Sequence, residues 1–220
     1  MLSVKHTAGS SSVPLTNYDD YVRAQLNKTD ALASKGHPMQ WVTLPMVSWI
    51  AGRIRSRISF RTNFALCHGA RSGREVTWFR TQLPGVQVWG TELSLISSKT
   101  APWTIPWDFH EERPEWKGQA DFVYSNALDH SYNATLAILR WMAQIHDKGA
   151  VVIHWSKGQI KLRTDSIDIF GPDYRMLVAT ICSAGHFAVN VEILRNAHHL
   201  YFVNHATWNA ANGKFDKGMC

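Results

Sequence analysis

From residue 62 onward the chain alternates between short apolar runs and stretches with helical spacing. "NFALCH" predicts a short buried strand. In "GREVTWFRTQL", Val76, Phe79, Arg80 and Leu83 recur at helical spacing until Pro84 and Gly85 end the pattern. "VQVWGTE" alternates with a period of two and predicts a strand, "WTIPWDFH" a weaker one and "ADFVYSN" a strong one. "NATLAILRWMAQIH" predicts a helix, "KGAVVIHWS" a buried strand, and "GPDYRMLVATICSAG" a helix ended by glycine. "FAVNVEIL" and "LYFVNHA" close the pattern as two strands. Strands alternating with helices predict an α/β domain with a mainly parallel sheet. The last two strands lie only a few residues apart, too few for a crossover helix, so they should pair antiparallel.

The residues before 62 have a different pattern. "TNYDDYVRAQLNKTDALASKG" predicts a helix, with Thr16 and Asp19 as a capping box, Gly36 as the stop, and Tyr18, Val22, Leu26 and Leu32 or Ala33 near one face. "WVTLPMVSWIAGRIRSRISFR" predicts a second amphipathic helix built on Leu44, Val47, Ile50 and Ile54, with Pro45 in its first turn. The organisation is therefore a helical basic arm (1–61), an α/β domain (62–206) and a short C-terminal tail (207–220).

With 45% hydrophobic and 18% charged residues over 220 positions, the chain can bury a core and is not of disordered composition. The formal net charge of +6 favours anionic partners, or simply marks a basic soluble protein. Arg53, Arg55, Arg57 and Arg61 in "GRIRSRISFR" concentrate that charge. The cluster suits a helix roofing or packing on the α/β domain, a contact with RNA phosphates, or a protein assembly contact. The three cysteines, Cys67, Cys182 and Cys220, are widely spaced and set neither a disulfide framework nor a zinc pattern. A reducing intracellular compartment is expected, cytoplasmic before organellar. "MLSVKHTAGSSSVP" has serines and no early acid but lacks the arginines of a transit leader, so it reads as a flexible terminus. No apolar run is long enough to predict a membrane span.

Candidate chemistry begins at "HGARSG", the first strand-to-helix turn. In an open α/β sheet, ligands bind beyond the carboxyl ends of the strands, and glycines let the backbone approach them. The turn is not G-x-G-x-x-G, which counts against a nicotinamide dinucleotide. The next strand ends in Glu92, 23 residues after Gly69, where roughly 20 are expected before a ribose-binding acid. Turn and acid together point to an adenosine-containing cofactor.

"GARSGREV", "VWGTEL", "WDFH" and "YSNALDHSY" occur in that order, and together they resemble the class I methyltransferases that use S-adenosylmethionine, in particular the type 11 group. The resemblance covers about residues 62–206. It implies a Rossmann-like fold whose seven-stranded, mainly parallel sheet ends in an antiparallel hairpin. It also implies site roles. Gly69, Ala70, Arg71 and Gly73 match the turn against the methionine half of the cofactor. Glu92 matches the ribose-binding acid and Leu93 its neighbour beside the adenine. Asp108, Phe109 and His110 match the adenine-side loop, and Ser125, Asn126, Leu128, Asp129 and His130 the loop lining the reacting centre. Many relatives carry an acid at the start of the glycine motif, where this chain has Cys67 and His68. His68 could approach the methionine end or be an ordinary loop histidine.

The implied function is methyl transfer from S-adenosylmethionine to an unidentified acceptor, with no metal. Asp129 and His130 are the candidate proton acceptors; the alternative for Asp129 is to cap the helix beginning near Tyr132. The competing function is a catalytically inactive subunit or scaffold of this fold that contacts RNA through the basic arm.

Overall fold

The computed structural model describes residues 17–34, 40–160, 169–185, 187–194, 198–205, 208–209 and 214–215. The N-terminal leader question, Thr16 and Gly36 lie outside these residues. Helix α1 (Tyr18–Ser34) and α2 (Leu44–Arg57) precede β1 (Phe64–His68), α3 (Arg74–Gln82), β2 (Gln87–Glu92), α4 (Leu95–Thr100) and β3 (Thr104–Pro106). Then come β4 (Ala120–Ser125), α5 (Ala134–Gln144), β5 (Ile145–Ser156), α6 (Tyr174–Ala184), β6 (Phe187–Leu194) and β7 (His198–His205). A pair of two-residue strands, β8 (Trp208–Asn209) and β9 (Lys214–Phe215), forms a small antiparallel sheet within the expected tail.

The main sheet has seven strands in the order β3-β2-β1-β4-β5-β7-β6. β1 to β5 run parallel, and β7 is antiparallel to both β5 and β6, the closing hairpin that the short connection predicts. Because successive strand residues face opposite ways, each strand feeds two cores. Cys67, Phe122, Tyr124, Val152, Leu200 and Phe202 face α2 and α3, while Leu66, Val123, Val151, Ile153, Tyr201 and Val203 face α5 and α6. Cover on both faces explains the continuous apolar runs in the parallel strands.

The helices start where short polar side chains take up free N–H groups. Asn17, Ser94, Asn133 and Asp173 accept from the backbone N–H of Asp20, Ser97, Leu136 and Met176 at 2.9, 3.1, 3.0 and 2.8 Å. The cap of α5 is thus Asn133, not Asp129. Helix α4 has no counterpart in the sequence pattern, because its six residues leave Leu95 and Ile96 exposed and bury Ser97 and Ser98. Helix α5 ends at Gln144 rather than His146, and the weak strand in "WTIPWDFH" shrinks to three residues. Cys67 is a free, buried thiol; Cys182 is disulfide-bonded, which spacing along the chain did not foretell.

The basic segment is fastened to the α/β unit. Val47, Ile50, Ala51 and Ile54 of α2 enter the core shared with α3, whereas Leu44 stays exposed. Arg53 and Arg57 both pair with Glu192 of β6, and the Arg57 guanidinium lies over the Phe202 ring. Arg55 donates to the Gln82 carbonyl at 2.7 Å, and Arg61 pairs with Asp147 at 2.8 Å. No helix among the described residues is long and apolar enough to cross a membrane.

Candidate functional site

The turn after β1 is held by geometry that only certain residues tolerate. Gly69 has φ 72°, and a Cβ there would fall 2.5 Å from Ala127 Cβ, so both the left-handed backbone and the contact with the loop after β4 require glycine. Gly73, at φ 69°, caps α3 where a Cβ would meet Ala101 Cβ at 2.8 Å. The N–H groups of Gly69 and Ala70 both donate to the Thr91 carbonyl, at 3.0 and 2.9 Å, tying the turn to β2. Glu92 closes the arrangement: its buried carboxylate accepts from Arg71 N–H at 2.8 Å and from Ser94 N–H at 3.2 Å.

These groups border one cleft at the carboxyl edge of the sheet. Gly69, Ala70, Arg71, Glu92, Leu93, Asp108, Phe109, Asn126, Asp129 and His130 all line it. Four strand ends contribute, because β2, β1 and β4 are neighbours and β3 flanks them. Among the residues singled out in the sequence, Gly73, His110, Ser125 and Leu128 stand behind this wall. His110 is buried; its Nδ1–H donates to Asp108 Oδ1 at 2.7 Å and its Nε2 accepts from the Ser131 hydroxyl at 2.7 Å. Ser125 donates to the His68 carbonyl at 3.1 Å and accepts from Ala127 N–H at 3.1 Å, and Leu128 belongs to the core against α5. Asp129 accepts from Gln159 Nε2 at 3.1 Å and lies 3.9 Å from His130 Nε2.

His68 fits neither expectation. It is the last residue of β1, 1% exposed, with Nε2–H donating to Gln144 Oε1 and Nδ1 accepting from the Thr91 hydroxyl, both at 2.8 Å. Burial lowers its pKa to about 4, so it is a neutral structural imidazole.

Sequence reasoning missed several wall residues. Tyr21, Gln25, Lys28 and Thr29 of α1 roof the cleft. The Tyr18 hydroxyl donates to Asp108 and the Tyr21 hydroxyl to the His130 carbonyl, so α1 is anchored on the predicted site itself. Glu75 of α3 and His198 of β7 also border the cleft. His198 Nδ1 and His154 Nε2 share a hydrogen bond of 3.0 Å, as do His154 Nδ1 and the Tyr124 hydroxyl. Burial lowers the pKa of His154 to about 3 and that of His198 in the same direction. Strand alternation could have put Tyr124 and His154 on one face, but only the strand order brings His198 beside them.

The strand order with only β7 reversed, and the cleft over the β1 and β4 ends, decide the architecture. This is the class I methyltransferase fold. Several S-adenosylmethionine-dependent methyltransferases of known structure share this fold. One is a 1,6-didemethyltoxoflavin-N1-methyltransferase from Burkholderia thailandensis with bound S-adenosylhomocysteine. It superposes with a TM-score of 0.63 at 15% identity, over 90% of this chain and 96% of that one. A TehB-like SAM-dependent methyltransferase from Corynebacterium glutamicum gives 0.54 at 14% identity, over 86% and 100%. The sugar N-methyltransferase KedS8 from a Streptoalloteichus species gives 0.55 at 12%, over 93% and 99%. At such identities the likeness is one of fold. No protein-family model and no curated protein matches the chain in sequence.

Proposed function

We propose that the protein transfers a methyl group from S-adenosylmethionine to a second substrate held beneath α1. The observation that carries this reading is Glu92: a buried carboxylate at the end of β2, braced by Arg71 N–H and Ser94 N–H, on the wall of the cleft that the glycine turn enters. The residues present fit the cofactor. Glu92 would accept from the ribose hydroxyls, and Leu93 and Phe109 would flank the adenine. Asp108, which already accepts from His110 and Tyr18, would face its amino group together with adjacent backbone. Residues 69–71 and Asn126 would hold the methionine half.

When bound, the cofactor supplies a methyl already activated by its sulfonium. What remains for the protein is to orient the acceptor, exclude water and, for a protonated acceptor, take its proton. Helix α1 is placed to exclude water. Asp129, oriented by Gln159, and the neighbouring His130 are the proposed proton acceptors on this side of the cleft.

The scaffold reading finds less support. Its RNA contact depends on Arg53, Arg55, Arg57 and Arg61, and each of these makes an internal contact. Calorimetric titration with S-adenosylhomocysteine tests the proposal. Binding that weakens at least tenfold in Glu92→Ala is expected; a folded wild-type protein that binds nothing would overturn it.

A further inference from the structure

One carboxylate on the cleft wall has no task in the reading above. Glu75 lies in the first turn of α3, 6% exposed, where the cleft meets the glycine turn. Its hydrogen-bond partners are neutral: Gln40 Nε2 donates to Oε1 at 3.1 Å and the Cys67 thiol to Oε2 at 3.7 Å. The groups that act on it electrostatically are Arg71 from the turn, Cys67 from β1 and Tyr124 from β4. Among the described residues Glu75 forms no ion pair. Gln40 itself is held by the Ser72 hydroxyl at 2.8 Å, so the carboxylate is positioned, not merely trapped.

A buried acid that no cation touches directly is costly, and a protein avoids the cost by keeping it protonated or by bringing a cation to it; Arg71 offsets only part of that cost. Burial raises the Glu75 pKa to about 7, so both options are open at neutral pH. Elsewhere in the interior a buried acid is matched outright: Asp121 accepts from three backbone N–H groups and from His146. Glu75 differs in facing a cleft. β1 itself ends in a buried thiol, Cys67, which donates to Glu75, and a neutral imidazole, His68, so Glu75 is the carboxylate beside the start of the glycine turn.

We propose that Glu75 is the counter-ion for a primary ammonium group on a ligand seated against the turn at residues 69–73, and that its carboxyl releases a proton when that ligand binds. The O–H bond of the carboxyl breaks, the proton passes to solvent, and the carboxylate pairs with the ammonium. The ammonium has two sources: the amino-acid end of the cofactor, which rests on the methyl-donor reading, or an amine on the acceptor.

The experiment is calorimetry at pH 6.5 in two buffers of different ionisation enthalpy, which counts protons exchanged on binding. From a starting pKa near 7, about 0.8 proton should leave per S-adenosylhomocysteine bound. None should leave in Glu75→Gln, whose affinity should fall about tenfold. 5′-Methylthioadenosine has the adenosine but no ammonium; it should bind both proteins alike without proton release. Release only when propylamine is added to the S-adenosylhomocysteine-loaded protein would assign the ammonium to the acceptor. Release with neither probe overturns the proposal, and this is read on the wild-type protein, so it does not depend on the variant folding. Failure of both adenosine compounds to bind would overturn the methyl-donor reading instead, while propylamine alone would still test Glu75.

Discussion

The backbone N–H of Arg71 and the Glu92 carboxylate meet at 2.8 Å, so the turn after β1 and the end of β2 hold each other in place. Glu92 therefore has a structural and a ligand-facing part, and substitutions should separate them. Glu92→Gln keeps an acceptor oxygen for the shorter bond, from Arg71, and turns its NH2 toward Ser94 N–H, so it should lower the Tm by only a few degrees while weakening S-adenosylhomocysteine about tenfold. Glu92→Ala removes both acceptor oxygens and should lose an additional ~1–2 kcal/mol of stability, because the N–H groups of Arg71 and Ser94 lose that partner. Thermal unfolding and calorimetry on the pair read the two parts independently.

Gly69 and Gly85 both have positive φ, at 72° and 90°, but only Gly69 has a neighbour in the way. Alanine at Gly85 meets nothing within 4 Å and should cost about 1 kcal/mol from backbone strain alone. Alanine at Gly69 adds the contact with Ala127 and should cost about 3 kcal/mol or more. Urea unfolding would show equal losses if the approach of the two loops were not tight.

Stability should depend on pH in two opposed ways. His68 and His154 titrate near 4 and 3 in the fold against 6.5 in a free chain, so the unfolded state binds more protons between those values. Stability from both groups is full above pH 6.5 and falls as pH drops, toward 4 for His68 and toward 3 for His154. Glu75 behaves oppositely: its folded value near 7 exceeds the ordinary 4.5, so its contribution is full below 4.5 and is lost as pH rises through 7. Glu75→Gln should thus stabilise the ligand-free protein at pH 8, by up to about 3 kcal/mol, with the gain gone by pH 4.5. Tm profiles of wild type, His68→Gln and Glu75→Gln would check this; a Glu75→Gln profile parallel to wild type would refute the assignment.

Glu192 holds two arginines of α2 and is itself mostly buried, with 12% side-chain exposure against 48% for Arg53 and 40% for Arg57. Half-exposed pairs are screened, so Glu192→Ala should cost only about 1 kcal/mol, less at high salt. If α2 is fastened to the sheet in this way, the variant should also speed hydrogen exchange in α2 relative to α3.

How much of this was legible before the fold was known follows from the range of each interaction. Local pattern was enough for α3, β2, β4, α5 and α6, since period and turn residues act within a few positions. It was not enough for α4, whose exposed Leu95 and Ile96 mask a helix stabilised by the Ser94 cap. The order of motifs also pointed to Glu92, Asp108 and Asn126, which stand on one cleft wall. The arginines at 53–61 were legible as charge but not as ion pairs, because Glu192 lies far along the chain.

By itself, then, the sequence determined the alternation of strands and helices, the antiparallel closing hairpin and the glycine turn followed by an acid, all of which depend on neighbours in the chain. Tertiary structure alone decided that His68 faces the core, that α1 roofs the cleft, that His198 reaches His154, and that Glu75 is a buried acid with neutral partners. Those properties depend on burial and on which side chains meet across the sheet, and such distances are set only when strands distant in sequence are packed side by side.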